Sequence, residues 1–258
     1  MTIHKTNGLT YVKSLRLESE GVRHGFFMRY GGCSPSPWAS LNMATSVGDS
    51  RENVIENRSR IATALNIGKD RFYDLWQIHS NRVVITDRPR PLEEEHIQAD
   101  AIITNKKNVS LLMLFADCVP ILFYDTQHNV VAIAHAGWKG TLGGVVVETI
   151  NQMKQKFDSS PEKLICVIGP AISKEHYQVG LELVEKAQRM FDANDLVTYK
   201  DADKYFMDLP LANKILLNKC GVKVVDSLGI CTCGNKEDWY SHRGDNGKTG
   251  RFAAVIAL

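Results

Sequence analysis

The 258-residue sequence has no excess of charge of either sign, since its 31 basic residues are balanced by 29 acidic ones and the formal net charge is +2. The basic residues are also scattered, which excludes the charge pattern typical of a nucleic-acid-binding protein. The polar N-terminal segment lacks a continuous apolar core and therefore predicts neither a secretory signal nor a membrane-spanning segment. We expect a cytoplasmic globular protein, without nucleic-acid or membrane partners, that binds small ligands.

A disulfide framework is missing as well. The six cysteines are dispersed along the chain, at positions 33, 118, 166, 220, 231 and 233. In a reducing compartment such cysteines are thiols or metal ligands rather than structural bridges. Only one residue separates Cys231 from Cys233, whereas paired cysteines in structural zinc sites more often have a gap of about two to four residues, so this pair is a weak candidate.

The chain contains no internal repeat, low-complexity tract or flexible linker, so we predict one domain over residues 1–258, with about 20 peripheral residues at the N-terminus. Most of the apolar runs in the middle of the chain are nearly continuous, which indicates strands covered on both faces. The predicted strands are 83–86, 100–104, 110–115, 119–125, 130–135, 163–169, 222–226 and 252–257.

Helices are predicted at 49–67, 140–157, 181–191 and 210–219. In the first of these, Asp49 and Glu52 resemble a capping pair, apolar residues recur at helical spacing, and Gly68 is placed to end the helix. The segment 30–38 is too rich in glycine and proline for regular structure. Helices that interrupt and cover several strands predict an α/β or α+β sandwich.

Three residues lie at or just beyond the edges of apolar runs: His79 in WQIHSN, Cys118 in FADCVP and His135 in AIAHAGW. Two imidazoles and a thiolate form a ligand set that zinc prefers, and three protein ligands leave a position for water or substrate. Taken singly, each residue is as well explained by a structural histidine or an inert core thiol. Their clustering at strand ends favours a catalytic zinc site, because α/β folds place their sites there.

Other polar residues are candidates for the same site. Asp117 directly precedes Cys118 and is a candidate proton carrier or carboxylate partner, although a turn residue is an equal alternative. Arg58, on the inner part of a predicted helix, and Arg243 offer planar donor groups suited to phosphate or carboxylate. The turn at Gly137 adds backbone N–H groups at a helix start. Six aromatic residues near polar loops could stack on a planar base: Phe26, Phe27, Tyr30, Trp38, Trp76 and Tyr240.

The segments GFFMRYGGCS, SLNMATSVGD, ENR, WQIHS, ADAIIT, FADCVPI, AHAGWKGT, IGPAIS, YQVG and SHRGDNGKTGR follow one another along the chain. In this order they resemble the YfiH or laccase-domain family of purine nucleoside-metabolising enzymes. The resemblance covers about Gly25 to Phe252, and the combination of QIHS, ADCVPI and AHAGW is highly specific.

The resemblance implies a single-domain α/β/β/α sandwich with one zinc ion held by His79, Cys118 and His135. It implies phosphorolysis of adenosine, inosine, guanosine or methylthioadenosine to base and ribose 1-phosphate, and deamination of adenosine. The family was earlier described as copper polyphenol oxidases, so copper is the alternative metal. The implied partners are purine nucleosides and inorganic phosphate, and we expect a monomer or weak homodimer. Arg58 and Arg243 are the expected ligand contacts, with Ser34 and Asn42 as weaker ones.

Two positions depart from the family pattern. Cys33 occupies the third position of the glycine-rich loop, where the family usually has valine, and is followed by two prolines. Gly244 stands where a second arginine commonly follows the Ser-His-Arg segment. One fewer positive charge weakens anion binding, so these positions bear on the choice of substrate.

Three alternatives to the nucleoside phosphorylase follow from the same residues. A copper-dependent phenol oxidase is compatible with the ligand set, although it would need several coppers and the sequence indicates one site. A metal-free cysteine hydrolase would use Cys118 as nucleophile and His79 or His135 as base. A non-enzymatic metal-binding protein is the third.

Overall fold

The computed structural model describes residues 1–191, 196–200 and 204–258. The strands in these residues are β1 (Thr2–Thr6), β2 (Leu9–Lys13), β3 (Arg23–Phe27), β4 (Phe72–Tyr73), β5 (Val83–Ile85), β6 (Ala101–Thr104), β7 (Ser110–Phe115), β8 (Val119–Asp125), β9 (Val130–Ala136), β10 (Leu164–Ile168), β11 (Gln178–Val179), β12 (Val197–Lys200), β13 (Lys204–Met207), β14 (Val224–Ser227) and β15 (Phe252–Ala257). The helices are α1 (Leu15–Ser19), α2 (Arg51–Ala64), α3 (Trp138–Leu142), α4 (Val145–Phe157), α5 (Leu181–Gln188) and α6 (Leu209–Lys219).

The first sheet has the strand order β1-β2-β3-β15-β7-β4. Its strands are antiparallel except for the β4–β7 pair. Alternate residues of β15 point to opposite faces, so Ala253 and Val255 pack with Ile61 of α2, whereas Ala254 and Ile256 face the other side. Helix α2 therefore covers one face of this sheet.

The second sheet has the order β14-β10-β8-β9-β6-β5 and packs face to face on the first. In β8, Leu122 and Tyr124 join the cluster between the sheets, and Ile121 and Phe123 join the cluster on the outer face. Both faces of β8 are buried, as its continuous apolar run predicts. A third, three-stranded sheet has the order β11-β13-β12.

Helices α4 and α6 cover the outer face of the second sheet. Val146, Ile150 and Met153 of α4 and Leu217 of α6 are buried in the same apolar cluster as the outward side chains of that sheet. The layers are therefore helix, sheet, sheet and helix, and the predicted α/β/β/α sandwich of mixed α+β class is confirmed.

Three helix predictions were wrong in detail. The predicted helix 140–157 is two helices, because Gly144 adopts a left-handed backbone (φ 80°) that ends one and begins the next. Helix α2 is capped by Ser50, whose side chain accepts the N–H of Asn53, and not by Asp49. It ends at Ala64, followed by Asn66 with φ 53°, so Gly68 is not its terminator. Part of the predicted helix 181–191 beyond Gln188 is also not α-helical.

The strands β1 to β3 of the N-terminal segment were not predicted. Leu9, Tyr11 and Val12 of β2 are buried, although β1 beyond it is half exposed at the sheet edge. The division into one domain with a peripheral N-terminus stays a prediction. Among the described helices, none combines the length and the apolar character needed to cross a bilayer.

Candidate metal centre

The structure brings together the three residues that the sequence singled out as metal ligands. One nitrogen or sulfur atom from each of His79, Cys118 and His135 lies within 4.8 Å of its counterparts, and in the described part of the chain this is the one such group of three or more. His79 sits in a turn before β5, Cys118 in the turn between β7 and β8, and His135 near the end of β9. Two turns and the end of one strand therefore meet at one point.

Asp100 organises two of these ligands. One of its carboxylate oxygens accepts the Nδ1–H of His135 at 2.9 Å and the backbone N–H of His79 at 3.0 Å. The other accepts the N–H and the hydroxyl of Ser80, at 2.6 and 2.7 Å. Burial alone would raise the pKa of Asp100, but the hydrogen bonds from His135 and Ser80 hold it below its ordinary value. The bond to Nδ1 leaves the Nε2 lone pair of a neutral His135 free for a metal.

Gly137 leaves the space that the ligands occupy. A Cβ atom at this position would lie 2.6 Å from Nδ1 of His79 and 2.9 Å from Sγ of Cys118. Both distances are shorter than a non-bonded contact allows. Any side chain here would displace two of the three candidate ligands.

The electrostatics of the centre favour a thiolate. Burial raises the pKa of the Cys118 thiol, but the adjacent His135 and His79 imidazoles outweigh burial and lower it. Burial likewise lowers the pKa of His135, and the Cys118 thiolate and Asp100 together raise it. One negative sulfur and imidazoles held close to it form a donor set that fits a borderline-soft divalent metal.

The three residues open onto a cavity of about 510 Å³. Its wall carries the arginines predicted as ligand contacts, Arg58 and Arg243, together with Arg251. Trp76 and Tyr177 supply aromatic surfaces. Burial raises the pKa of Tyr177 to about 12, so its phenol is neutral and can donate a hydrogen bond at neutral pH.

Arg58 is held in this wall by Asp74. Their side chains form an ion pair at 2.8 Å, and Arg90 and His96 contact the same carboxylate. Burial would raise the pKa of Asp74, but Arg58, His96 and Arg90 hold it far below its usual range. Nε of Arg58 is buried and has no hydrogen-bond partner among the described residues, which leaves a donor for a ligand.

Asp117 lines the cavity, and its carboxylate accepts hydrogen bonds from the segment 232–243. Its Oδ1 accepts the hydroxyls of Thr232 and Ser241, both at 2.7 Å, and its Oδ2 accepts the backbone N–H of Arg243 at 2.6 Å. The carboxylate bonded to a ligand imidazole is Asp100, so the carboxylate-partner role considered for Asp117 belongs to Asp100 instead. A proton-carrier role for Asp117 stays a prediction.

Ser34 and Asn42 are buried behind the cavity and do not line it. Asn42 donates to Asp49 and Ala44 and accepts the N–H of Arg251. The hydroxyl of Ser34 accepts a hydrogen bond from Asn57. These contacts support the loop that carries Met43 and the backbone of Arg251, which directly precedes β15. The expected role of Ser34 and Asn42 as weak ligand contacts is not supported.

Three residues of the site were not predicted from the sequence: Asp100, Tyr177 and Arg251. Asp100 directly precedes the apolar strand β6. The one signal for such a residue is that a metal-bound imidazole usually has a carboxylate partner. Of the six aromatic residues proposed for stacking, Trp76 is the one in the cavity wall, whereas Phe26, Phe27 and Tyr240 are fully buried.

The chain belongs to the family whose sequence model is described as multi-copper polyphenol oxidoreductase laccase, and that model matches residues 23–258. Among its relatives, purine nucleoside phosphorylase YlmD of Bacillus subtilis strain 168 is 36% identical over 91% of this chain and 87% of its own length. A purine nucleoside phosphorylase of Deinococcus radiodurans is 38% identical over 95% of this chain and 92% of its own.

Solved structures agree with this membership. The crystal structure of YlmD from Geobacillus stearothermophilus superposes with a TM-score of 0.92 and 30% identity, over 98% of this chain and 97% of that one. The crystal structure of the Bacillus licheniformis hypothetical protein YfiH gives a TM-score of 0.91 and 30% identity, over 99% and 98% of the two chains. The predicted family is confirmed by both the sequence and the fold.

Proposed function

We propose that this protein is a zinc-dependent purine nucleoside phosphorylase that also deaminates adenosine. The observation that carries the proposal is the convergence of His79, Cys118 and His135 on a cavity whose wall contains three arginines. The names of the relatives support the phosphorylase. We further propose that it acts in the cytoplasm, because all six cysteines are free thiols, as expected in a reducing compartment. The proposed assembly is a monomer or weak homodimer.

His79, Cys118 and His135 would hold the zinc, and Asp100 would orient His135 and the backbone of His79. A zinc ion bound there would supply Lewis acidity, with which a substrate oxygen or nitrogen is polarised or a water molecule is made more acidic. The fit rests on the donor set and on the space left by Gly137.

For phosphorolysis, we assign phosphate binding to Arg58 and Arg243. The reaction places developing positive charge on the ribose as the base departs, so an anionic nucleophile held beside it lowers the barrier. The unpartnered Nε of Arg58 can donate to a phosphate oxygen while the ion pair with Asp74 fixes the guanidinium. Trp76 or Tyr177 would contact the purine, because both line the same cavity.

For deamination, we assign proton transfer to Asp117. Its carboxylate lines the cavity beside Cys118, and its oxygens keep accepting capacity after three protein hydrogen bonds. Adenosine, inosine, guanosine and methylthioadenosine are the proposed nucleosides. Gly244 adds no positive charge beside Arg243. Anion binding therefore depends on the arginines already in the cavity wall.

A copper-dependent phenol oxidase is the second candidate, and the description of the matching family model is the observation that favours it. Imidazole and thiolate bind copper readily when it is freely supplied. A multi-copper enzyme needs further ligand groups, however, and the described residues contain one group of three. An anaerobic assay of zinc-only protein separates the two, since phosphorolysis needs no oxygen.

The first experiment is the metal content of protein purified without added metal, followed by chromatography of the products from adenosine with and without phosphate. We expect one zinc per chain, phosphate-dependent release of adenine and phosphate-independent formation of inosine. Copper as the bound metal would favour the oxidase. Turnover that resists chelators and stops when Cys118 is alkylated would favour the cysteine hydrolase.

The variant His79→Ala should lose zinc and both activities together, because one centre is proposed to serve both. His4→Ala is the matched control, since His4 lies on the edge strand β1 and contacts Thr2 and Glu18. Far-ultraviolet circular dichroism should show an unchanged fold for both variants. Wild-type rates of either activity in His79→Ala would contradict the proposal.

A further inference from the structure

Cys231 and His176 form a second pair of reactive side chains, outside the metal centre. Sγ of Cys231 lies 3.4 Å from Nδ1 of His176. The sulfur also accepts the backbone N–H groups of Ser173, at 3.3 Å, and Gly234, at 3.2 Å. A positioned imidazole can take the thiol proton, and two N–H donors stabilise negative charge on sulfur.

The backbone holds this arrangement in place. Cys231 forms a parallel bridge with Ala171, and Thr232 donates its N–H to the same residue at 3.0 Å. A Cβ atom on Gly234 would lie 3.1 Å from Cε1 of His176, so the absence of a side chain at position 234 lets the loop approach the imidazole closely. The segment that carries Cys231 is therefore fixed by backbone contacts, and it places the thiol within reach of the His176 imidazole.

Cys231 is accessible to small molecules. It is partly exposed and lines a separate cavity of about 300 Å³, whose wall also includes Ser173, Lys174 and Lys214. The other cysteines outside the metal centre are less suited to reaction, since burial raises the pKa of all four: Cys33, Cys166, Cys220 and Cys233.

The pair is physically connected to the ligand cavity through Arg243. The guanidinium of Arg243 donates to the backbone carbonyls of His176, at 3.4 Å, and Gln178, at 3.0 Å, and lies 5.4 Å from the ring centroid of Tyr177. The residue after Cys231, Thr232, donates its hydroxyl to Asp117 at 2.7 Å. Displacement of His176 would therefore remove a contact that positions Arg243 in the cavity wall.

We propose that Cys231 is a modification site that exchanges with low-molecular-weight disulfides, with His176 as its base, and that the resulting adduct weakens anion binding by displacing Arg243. The last clause rests on the proposed phosphorylase function. The exchange itself rests on the thiol, the imidazole and the cavity alone.

The exchange is balanced without a further oxidant. The Cys231 thiol gives its proton to His176, and its sulfur attacks one sulfur of the small disulfide. The disulfide bond of the reagent breaks while a bond forms between Cys231 and the attacked sulfur. The departing thiolate takes the proton from His176 and leaves as a thiol, so Cys231 is oxidised as half of the reagent is reduced.

The test treats the zinc-loaded protein at neutral pH with oxidised glutathione and locates the adduct by peptide mass spectrometry over time. We expect Cys231 to be modified faster than the exposed Cys33. His176→Gln should slow the reaction at Cys231 roughly tenfold. This is less than the full effect of a general base, because thiols are already good nucleophiles. The reaction rate at Cys33 should be unchanged. Faster modification of Cys33, or an unchanged rate at Cys231 in His176→Gln, would overturn the site.

The connection to the cavity is tested on the same modified protein. Glutathionylated enzyme should show a higher KM for phosphate with kcat little changed, and reduction with dithiothreitol should restore the KM. Cys231→Ser should keep the unmodified KM after the same treatment, with Cys33→Ser as the matched control that still responds. An adduct at Cys231 that leaves the phosphate KM unchanged would overturn the coupling to Arg243. If phosphorolysis is absent altogether, mass spectrometry still decides the modification site.

Discussion

At the scale of single residues, Asp100 holds two of the three candidate ligands in position through its hydrogen bonds. It receives five hydrogen bonds from four residues and no water-exposed surface remains on it, so its carboxylate couples the turn of His79 to the strand of His135. A carboxylate partner fixes the tautomer and orientation of a metal-bound imidazole. A change at Asp100 should therefore alter the metal affinity as well as the stability of the fold.

Asp100→Asn should weaken zinc binding by about 10- to 100-fold, because the neutral amide keeps the size of the side chain but loses its charge. Competition with a chromophoric chelator measures the change. Asp125→Asn is the matched control, since Asp125 is also fully buried and also accepts a hydrogen bond from a histidine, His128, away from the metal centre. Equal zinc affinities in the two variants would argue against the role of Asp100.

Gly137→Ala should lower the zinc content well below one per chain and reduce turnover by at least about tenfold, because the new methyl group overlaps His79 and Cys118. Gly180→Ala is the control: a Cβ atom there would meet no described atom within 4 Å. Metal analysis and circular dichroism together check the result. Full zinc occupancy in folded Gly137→Ala would show that the ligands can move aside.

At the scale of elements, strand β3 carries a histidine that must stay neutral. His24 is fully buried and bonds to Ser14 N–H and the Val22 carbonyl. Burial lowers its pKa to about 4, whereas an unfolded histidine titrates near 6.5. Between these values the unfolded chain binds a proton that the folded chain does not, so acid favours unfolding.

The free energy of unfolding should therefore fall as the pH drops from about 6.5 towards 4, by up to about 1.4 kcal/mol per pH unit from His24 alone. This contribution is fully present above pH 6.5. Urea unfolding between pH 6.5 and 5, above the range of most carboxylates, measures it. His24→Gln should flatten the slope, and an equal slope in the variant would assign the titration to another group.

Element boundaries show what local patterns can predict. The strands β6 to β10 and β15 lie within about one residue of their predicted bounds, because continuous apolar runs between polar turns are a local signal. The strands β1 to β3 were missed because they are short and give no clear apolar pattern. The one apolar residue of β1, Ile3, is exposed, and β3 buries His24 and Gly25 beside its two phenylalanines. Helix α4 was predicted too long at its start, since Gly144 breaks the helix through a backbone conformation that apolar spacing does not report.

At the scale of the whole molecule, the metal would join parts of the fold that are far apart in sequence. His79 precedes the second sheet, Cys118 connects the two sheets, and His135 lies within the second. A ligand that binds the folded state alone stabilises it by mass action, by about 2.7 kcal/mol at a free concentration 100 times its Kd. Zinc should therefore stabilise the sandwich as a unit.

Removal of zinc with a chelator should lower the melting temperature of the wild-type protein, and restoring zinc should reverse the change. His79→Ala should melt at the same temperature with and without chelator, because it lacks a ligand. Differential scanning calorimetry at fixed protein concentration makes the comparison. A melting temperature of the wild-type protein that is indifferent to zinc would mean that the metal does not bind preferentially to the folded chain.

The sequence by itself determined the layered class of the fold, most central strands, the family and the three candidate ligands. These features depend on apolar periodicity and on residue types that stand in recognisable short segments. Arg58 and Arg243 were also predicted, and both line the cavity.

Only the tertiary structure decided which residues position those ligands through hydrogen bonds. Asp100 meets His135 across 35 positions, and Cys231 meets His176 across 55. Such contacts arise when sheets and turns pack, and no local pattern encodes the distance between residues so far apart. For the same reason Ser34 and Asn42, although they stand in family segments, lie behind the cavity wall, since burial is a property of the packed chain and not of the segment.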